Sequence, residues 1–478
     1  MYSLPSRTFC HGSVHFVCAA AFISLGACSS NPSTPSPESS APSGDTSEGT
    51  TPNATETPND GSSDETASEG GTATDPTEEE TDTEPTDPTE PVEPMDPCED
   101  GVWTCLRTEP SGPYGTRTFQ VPAQQNWVNS GLYLREGETA TISPGAGSWI
   151  LGSKDGDGID HGACIIGDLV ARIGLHYKDP KLTCVADELV FTADKDGILF
   201  VGALSENDLG EGYEARFHAS GEKTVTVTSE AATAPTILGG EAETYAFDQV
   251  SSGWIEVMGD HVILTIPTDK ADEDSDVILQ AIETLDTLYT LEADLRGGVP
   301  HHGQRIRFFP DSTTLGYMLA GNPIRMQPSL VTDGSRITLA GQEGIDIWGF
   351  AHELGHDFSY VSRNWVYETS TNTLESWCNI FTVYALGEMA VALNPSTVNC
   401  NQDSTGDYNS GWDAWVGVCF LRQFQFRYGW KFYEDFFAIL NMDEDNQGIS
   451  TWAEVHDAFE TVAGEDITPL FDAWNVPH

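Results

Sequence analysis

Ile347-Trp348-Gly349-Phe350-Ala351-His352-Glu353-Leu354-Gly355-His356-Asp357-Phe358-Ser359 contains an H-E-x-x-H motif, and from Ile345 to Ser359 no proline interrupts a helix. One helical turn separates His352 from His356. Both imidazoles therefore project from one face, at the separation that two corners of a zinc tetrahedron require. Glu353 sits beside that face, where it can reach a zinc-bound water without closing the coordination sphere, as a general base must. Five-letter motifs also recur by chance, and a surface helix carries His and Glu for solubility alone, so the context has to decide.

A third ligand is needed downstream, and Glu368 and Glu375 are the candidates. Glu368 lies in a Ser/Thr/Asn-rich loop, whereas Glu375 begins a second helical stretch, Leu374 to Leu393, with Asn379 one turn further along its face. A ligand held on a helix is better oriented, and Asn379 can hydrogen-bond a zinc histidine. Glu375 is therefore favoured, giving two imidazoles, one carboxylate and one water around the metal.

Around this centre the chain reads as a mixed domain. Strands are expected at Trp254 to Val257, Val262 to Pro267 and Ile306 to Phe309, with an amphipathic helix from about Ser275 to Asp294. Beyond Gly344 helices are expected at 345 to 361, 374 to 393, 412 to 427, 429 to 441 and 451 to 463. Trp412, Trp415, Phe420, Phe424, Tyr428 and Trp430 follow one helical face and read as core. Between about Gly131 and Ser229, short alternating segments such as Leu132 to Leu134, Thr139 to Ile142, Ile198 to Val201 and Thr224 to Val227 alternate with turn residues, which is an all-β sandwich pattern.

Two resemblances follow from these residues. Trp348 to His356, Glu375 to Tyr384, Leu315 to Ile324 and Leu470 to Trp474 resemble, in order and spacing, the enhancin-like, mucin-degrading gluzincins of the M60 peptidase family. The resemblance implies His352, His356 and Glu375 as zinc ligands and Glu353 as catalytic base. It further implies an endopeptidase acting on mucin-like glycoproteins that bear O-linked glycans. Asn322 and Cys378 depart from the family's usual aromatic and small polar residues. Gly167 to Gly174, with Ser130-Gly131-Leu132 and Gly147-Ser148-Trp149, resembles the galactophilic PA-I-type soluble lectins. His218-Ala219 stand where that family carries paired asparagines, although Asn207-Asp208 and His161 lie near its other ligand positions.

The expected fold is thus multidomain: an all-β lectin-like sandwich at 98–232, then an α+β zincin (gluzincin) peptidase domain at 233–478 with a mainly helical C-terminal half. Residues 1–27 read as a signal peptide ending in Leu25-Gly26-Ala27-Cys28, which resembles a bacterial lipobox with Cys28 as the lipidation point. That pattern predicts a lipid-anchored, surface-exposed outer-membrane protein, touching the membrane only through its anchor. Residues 28–97 are Ser, Thr, Pro and acidic residues with almost nothing apolar, the composition of a disordered stalk. The formal net charge of -54 excludes a nucleic-acid partner, because phosphates would be repelled. A monomer is expected.

Clustering of the cysteines suggests Cys98 with Cys105, Cys164 with Cys184 and Cys378 with Cys400, leaving Cys419 odd. Asp443 to Gly448 followed by Glu454 has the spacing of a Ca2+ loop, with acids at the first, third and twelfth places. An acidic connection between helices gives the same pattern.

Overall fold

The computed structural model describes residues 113–478 except 124, 126, 150–159, 162–163, 166–167, 177–181, 205–220, 241–244, 270–274, 313–316, 333–344, 360–370, 392–399, 409–412, 443–448 and 450. The signal peptide, the stalk, Cys28 and the Cys98/Cys105 pair lie outside these residues, as do Glu368, Asn207, Asp208, His218 and Ala219.

The first part of the described chain is β-rich. Its strands are β1 (Pro113–Pro122), β2 (Val128–Leu134), β3 (Thr139–Gly147), β4 (Asp160–His161), β5 (Cys164–Ile165), β6 (Leu169–Ile173), β7 (Thr183–Cys184), β8 (Leu189–Thr192), β9 (Gly197–Ala203) and β10 (Glu222–Thr233). Among the described residues β4 and β5 pair with each other, and the rest form one sheet, ordered β7-β6-β9-β2-β10-β3-β8 with β1 also on β10. β10 makes this possible by being long. Its earlier residues pair with β1 and β3, while Ala232 and Thr233 pair with Tyr133 and Leu132 of β2. The two halves enclose one core, with Phe119, Ile142, Val225 and Val227 from one and Leu169, Ala171, Leu199 and Val201 from the other. Alternation along β9 sends Ile198 and Phe200 the opposite way, into a second apolar cluster.

The chain then passes through Ala234 and Pro235 into a six-stranded sheet. It comprises β11 (Thr236–Leu238), β12 (Trp254–Met258), β13 (Val262–Pro267), β14 (Ile306–Pro310), β15 (Met318–Leu319) and β16 (Ile324–Met326), ordered β11-β12-β13-β14-β16-β15. Between β13 and β14 runs α1 (Ser275–Arg296), whose Ile278, Ile282, Leu285, Leu288 and Leu295 join the main core. α1 extends two residues past the expected Asp294, and buried Arg296 at its end donates from Nη1 to Asn441 Oδ1 at 2.6 Å.

β14 serves two cores at once. Ile306 and Phe308 face the main core, where Phe308 meets Phe350 at 5.4 Å between ring centroids. Phe309 faces the β-rich region and lies 6.0 Å from Phe200. Arg307 is buried on that side too. Its Nε lies 2.7 Å from Glu256 Oε1, and its Nη1 donates to the Trp127 carbonyl at 2.9 Å. Glu256 also accepts from the hydroxyls of Thr265 and Thr236, at 3.2 and 3.3 Å. Further along the seam, His176 Nδ1 lies 2.8 Å from Asp311 Oδ1, and Arg325 Nε donates to the Leu175 carbonyl at 2.9 Å. The β-rich region is thus packed against the second sheet through apolar and charged contacts.

Beyond residue 344 the described helices are α2 (Ile345–Ser359), α3 (Thr371–Glu388), α4 (Ala414–Tyr428), α5 (Lys431–Met442), α6 (Trp452–Ala463) and α7 (Thr468–Ala473). Where the expected bounds move, local chemistry explains it. α3 stops at Glu388 rather than 393 because Ala390 turns to a φ of 56° and its amide bonds back to the Gly387 carbonyl. α4 starts at Ala414 because Asp413 caps it, accepting from the Val416 amide at 2.8 Å. Phe420 and Phe424 are fully buried against Phe459 and Phe471, while Trp415, Tyr428 and Trp430 are half-buried and Trp412 lies outside the described residues.

Arg307 and Glu256 are each at most 3% exposed, so removing one partner strands a buried charge. Arg307→Ala should destabilise the protein by about 3–5 kcal/mol in denaturant titration, whereas Lys431→Ala, at an exposed pair, should leave the midpoint nearly unchanged.

Candidate metal centre

The centre is built where α2 and α3 cross. Gly355 sits at the crossing, and a Cβ there would collide with the Cys378 carbonyl oxygen. Only glycine lets the two backbones approach so closely. The contact brings Glu375, one turn before Cys378, over the face of α2 that carries the histidines. At the other end of α2, a Cβ on Gly349 would lie 3.1 Å from Met318 Sδ, so the edge strand β15 runs close beside the same helix.

Glu375 Oε2 stands 3.0 Å from His352 Nε2 and 3.5 Å from His356 Nε2. One carboxylate oxygen facing two ring nitrogens is a set of three electron donors turned toward a common point. His352 Nδ1 is held from behind by Asn379 Oδ1 at 2.9 Å, and the Asn379 amide in turn donates to the Glu375 carbonyl at 2.6 Å. With its Nδ1 hydrogen on Asn379, His352 presents an Nε2 lone pair forward. Glu353 is half-buried on the same helix. The structure therefore brings His352, Glu353, His356, Glu375 and Asn379 together, and Glu368 lies outside the described residues.

The protonation pattern fits a cation. Burial favours neutral rings for His352 and His356, but Cys378 and Glu375 beside them outweigh it and push both imidazoles well above the ordinary histidine value. Burial likewise opposes charge on Glu375, yet the hydrogen bonds from the two histidines prevail and hold its carboxyl below the usual range. Without a metal these groups balance their charges with protons; a divalent ion would replace those protons, and a set of two imidazoles and one carboxylate suits zinc. Burial raises the Glu353 carboxyl, with the histidines opposing.

Two residues at the centre were not assigned a role from the motif. Glu292 on α1 is completely buried, and neither carboxyl oxygen has a hydrogen-bond partner among the described residues. Burial pushes its pKa well above the ordinary value, reinforced by Cys378 and Asp357 and opposed by the two histidines. The signal was an acid in the inward row formed by Leu288, Glu292 and Leu295. Cys378 is the second. The pairing with Cys400 is corrected: Cys378 is a free, buried thiol, and Cys400 is bonded to Cys419 with a Cα separation of 5.2 Å. The reason is geometric, since α3 turns Cys378 inward onto His352 while Cys419 comes from α4. Cys184 is disulfide-bonded.

Two further expectations meet the structure here. Glu454, the twelfth place of the Ca2+ loop, closes a capping box on α6: its carboxylate accepts from the Thr451 amide at 3.0 Å. Asp443 to Gly448 lie outside the described residues. Asn322 binds backbone: its Oδ1 accepts from the Arg307 amide at 3.1 Å and its Nδ2 donates to the Arg305 carbonyl at 2.9 Å.

Two histidines one turn apart, a glutamate between them and a carboxylate from a second helix define a metallopeptidase-type centre of the H-E-x-x-H class. Residues 245–475 match the family described as Peptidase M60, enhancin and enhancin-like. The chain is 27% identical over 383 residues to TRPM8 channel-associated factor 2 of Mus musculus, covering 73% of this chain and 38% of that protein. It is 25% identical over 244 residues to a TRPM8 channel-associated factor homolog of Xenopus laevis, covering 47% of this chain and 26% of that protein. The chain thus spans well under half the length of these curated relatives. In structure it is similar to a conserved protein of unknown function from Bacillus anthracis, with a TM-score of 0.52, 15% identity and 76% of each chain covered. The curated relatives are eukaryotic, which overturns the expectation of a lipid-anchored bacterial outer-membrane protein. Among the described residues no helix is long and apolar enough to cross a membrane.

Gly355→Ala forces a methyl against the Cys378 carbonyl, and should lower stability by about 1–3 kcal/mol while weakening metal binding, read by denaturation and by zinc titration. Metal must displace protons from both raised imidazoles, so zinc affinity should fall as pH drops, beginning above the ordinary histidine range. Calorimetric titration at several pH values measures this.

Proposed function

We propose that this protein is a zinc-dependent endopeptidase whose substrates are mucin-like proteins carrying O-linked glycans. The convergence of His352, His356 and Glu375, with Glu353 on the same helix, carries the peptidase reading. His352 Nε2, His356 Nε2 and a Glu375 oxygen would hold the zinc. Zinc bound there would act as a Lewis acid, polarising the scissile carbonyl and acidifying water. Asn379 keeps His352 in the tautomer that has its hydrogen on Nδ1 and its lone pair on Nε2. Glu353 takes a proton from the attacking water and returns one to the leaving amide nitrogen, and its raised pKa brings it closer to neutral pH for that exchange. The edge position of β15 beside α2 gives an extended substrate a strand to pair with, and Tyr317 next to it is 39% exposed.

The substrate class rests on the family resemblance. The β-rich region packed against the peptidase sheet supports it if it takes sugar, because a weak glycan contact on the same body raises the effective concentration of a glycosylated polymer. Capture alone would not raise turnover, so the glycan must also be bound in the transition state.

Glu353→Gln should keep zinc at full stoichiometry and lose turnover by at least about a hundredfold, for want of a proton acceptor. Asn379→Ala should weaken zinc binding by about 10–100-fold. For the substrate, the full chain is offered one mucin-type glycopeptide and its deglycosylated form, with products read by mass spectrometry. Cleavage beside the glycosylated residue alone is the expected result. Equal cleavage of both would make it a general peptidase, and a zinc stoichiometry near zero would favour a carbohydrate-binding adhesin on an inactive fold.

A further inference from the structure

Tyr317 stands over the face of α2 that carries the metal set. Gly349 has no side chain, and a Cβ there would lie 3.5 Å from Tyr317 Cε1 and 3.7 Å from its Cδ1. One edge of the ring thus rests on bare helix backbone. At about 100° per residue, Gly349 points within about 20° of His356 and about 40° of Glu353 around the axis of α2. It precedes Glu353 by one turn, about 6 Å along that axis. The ring is therefore on the metal-bearing side of the helix, one turn from the proposed base.

The backbone at this point is fixed while the side chain is open. The Tyr317 carbonyl accepts from the Gln327 amide at 3.1 Å, and the next residue, Met318, begins β15, which pairs with β16 and ends the sheet. Met318 is 5% exposed, with its Sδ 3.1 Å from the Cβ position of Gly349, whereas Tyr317 is 39% exposed. Scattered apolar residues on a surface are normal. A ring braced against the metal helix is different, because it meets whatever enters beside Glu353. It offers a large flat contact at small entropic cost, since only two side-chain torsions are held.

We propose that Tyr317 is a specificity-determining residue, its ring taking the flat C–H face of a substrate group that flanks the scissile bond. A sugar ring or an aromatic side chain supplies such a face. The assignment rests on the peptidase reading above and deepens it, by naming what the site grips beyond the peptide backbone. A substrate strand paired on β15 runs past Tyr317, so backbone pairing and ring contact belong to one approach. Backbone pairing is common to all peptides; the ring contact is what tells them apart.

The test uses the zinc-loaded full chain and three forms of one mucin-type peptide that has phenylalanine beside its glycosylated threonine: glycosylated, deglycosylated, and deglycosylated with alanine in place of that phenylalanine. Wild type should prefer a ring-bearing form to the alanine form by about tenfold or more in kcat/KM. Preference for the glycosylated form alone assigns the contact to sugar, and preference for both ring-bearing forms assigns it to the side chain. Tyr317→Phe should keep the preference, because the ring is retained. Tyr317→Leu and Tyr317→Ala should abolish it with zinc stoichiometry unchanged. Gly349→Ala, whose methyl would meet Met318 Sδ at 3.1 Å, should reduce it by displacing the strand end. Binding of the same peptides to zinc-loaded Glu353→Gln, measured by calorimetry, should follow the same order. Equal cutting of all three peptides by wild type, which needs no variant to fold, overturns the proposal. A preference that survives Tyr317→Leu, or is lost in Tyr317→Phe, overturns it too, and in each case the peptidase reading stands. No cleavage of any peptide by zinc-loaded wild type overturns both.

Discussion

The contact between Gly355 and the backbone of Cys378 is the constraint on which the centre depends. Two helices can share a metal only if their axes come close enough for short side chains to meet, and here a glycine faces a carbonyl with no room for a methyl. Everything chemical follows from that approach. It lets a glutamate on α3 reach two imidazoles on α2, lets Asn379 support one of them from behind, and presses a sulfur against the same group. The glycine of the motif is thus as much a part of the centre as the histidines, although it carries no functional group.

A second constraint lies outside the centre. β14 has one face in the core beneath the metal helices and the other in the seam with the β-rich region. Phe308 packs toward Phe350 on α2, and its neighbours Arg307 and Phe309 reach Trp127 and Phe200 on the far side. Period-two alternation along a single strand therefore couples the two parts of the molecule. The buried Arg307–Glu256 pair carries a desolvation cost that an apolar pair would avoid, so its geometry matters more than its charge for net stability.

The charges at the centre argue in one direction. Two imidazoles that hold protons above their ordinary range, a carboxylate held below its own, and a thiol in the same few ångströms make an assembly that needs positive charge. Glu292 stands behind it in full burial, which pushes its carboxyl well above the ordinary range. This distribution is what a divalent cation would meet.

Much of the centre was legible in the chain before folding. His352, Glu353 and His356 are spaced by the period of the helix that bears them, so local geometry alone sets them on adjoining positions. Glu375 and Asn379 also lie one turn apart, and could be read together because a single helix relates them. The strands of β9, β12, β13 and β14 were legible from alternation and β-branched content. What the chain could not reveal were relations between elements distant in sequence. Cys378 paired on paper with Cys400, because spacing along the chain carries no information on which way a helix turns its cysteine. The fold places Cys419 beside Cys400 and turns Cys378 onto the histidines. Glu292 has no motif to mark it; only the packing of α1 buries it near the histidines. Nothing in the strand Ile306 to Phe309 marks Arg307 for burial; the β-rich region packed over it does. Local periodicity determined the elements and the ligands within each of them; the packing of one element on another decided their neighbours, because burial and contact belong to the whole fold.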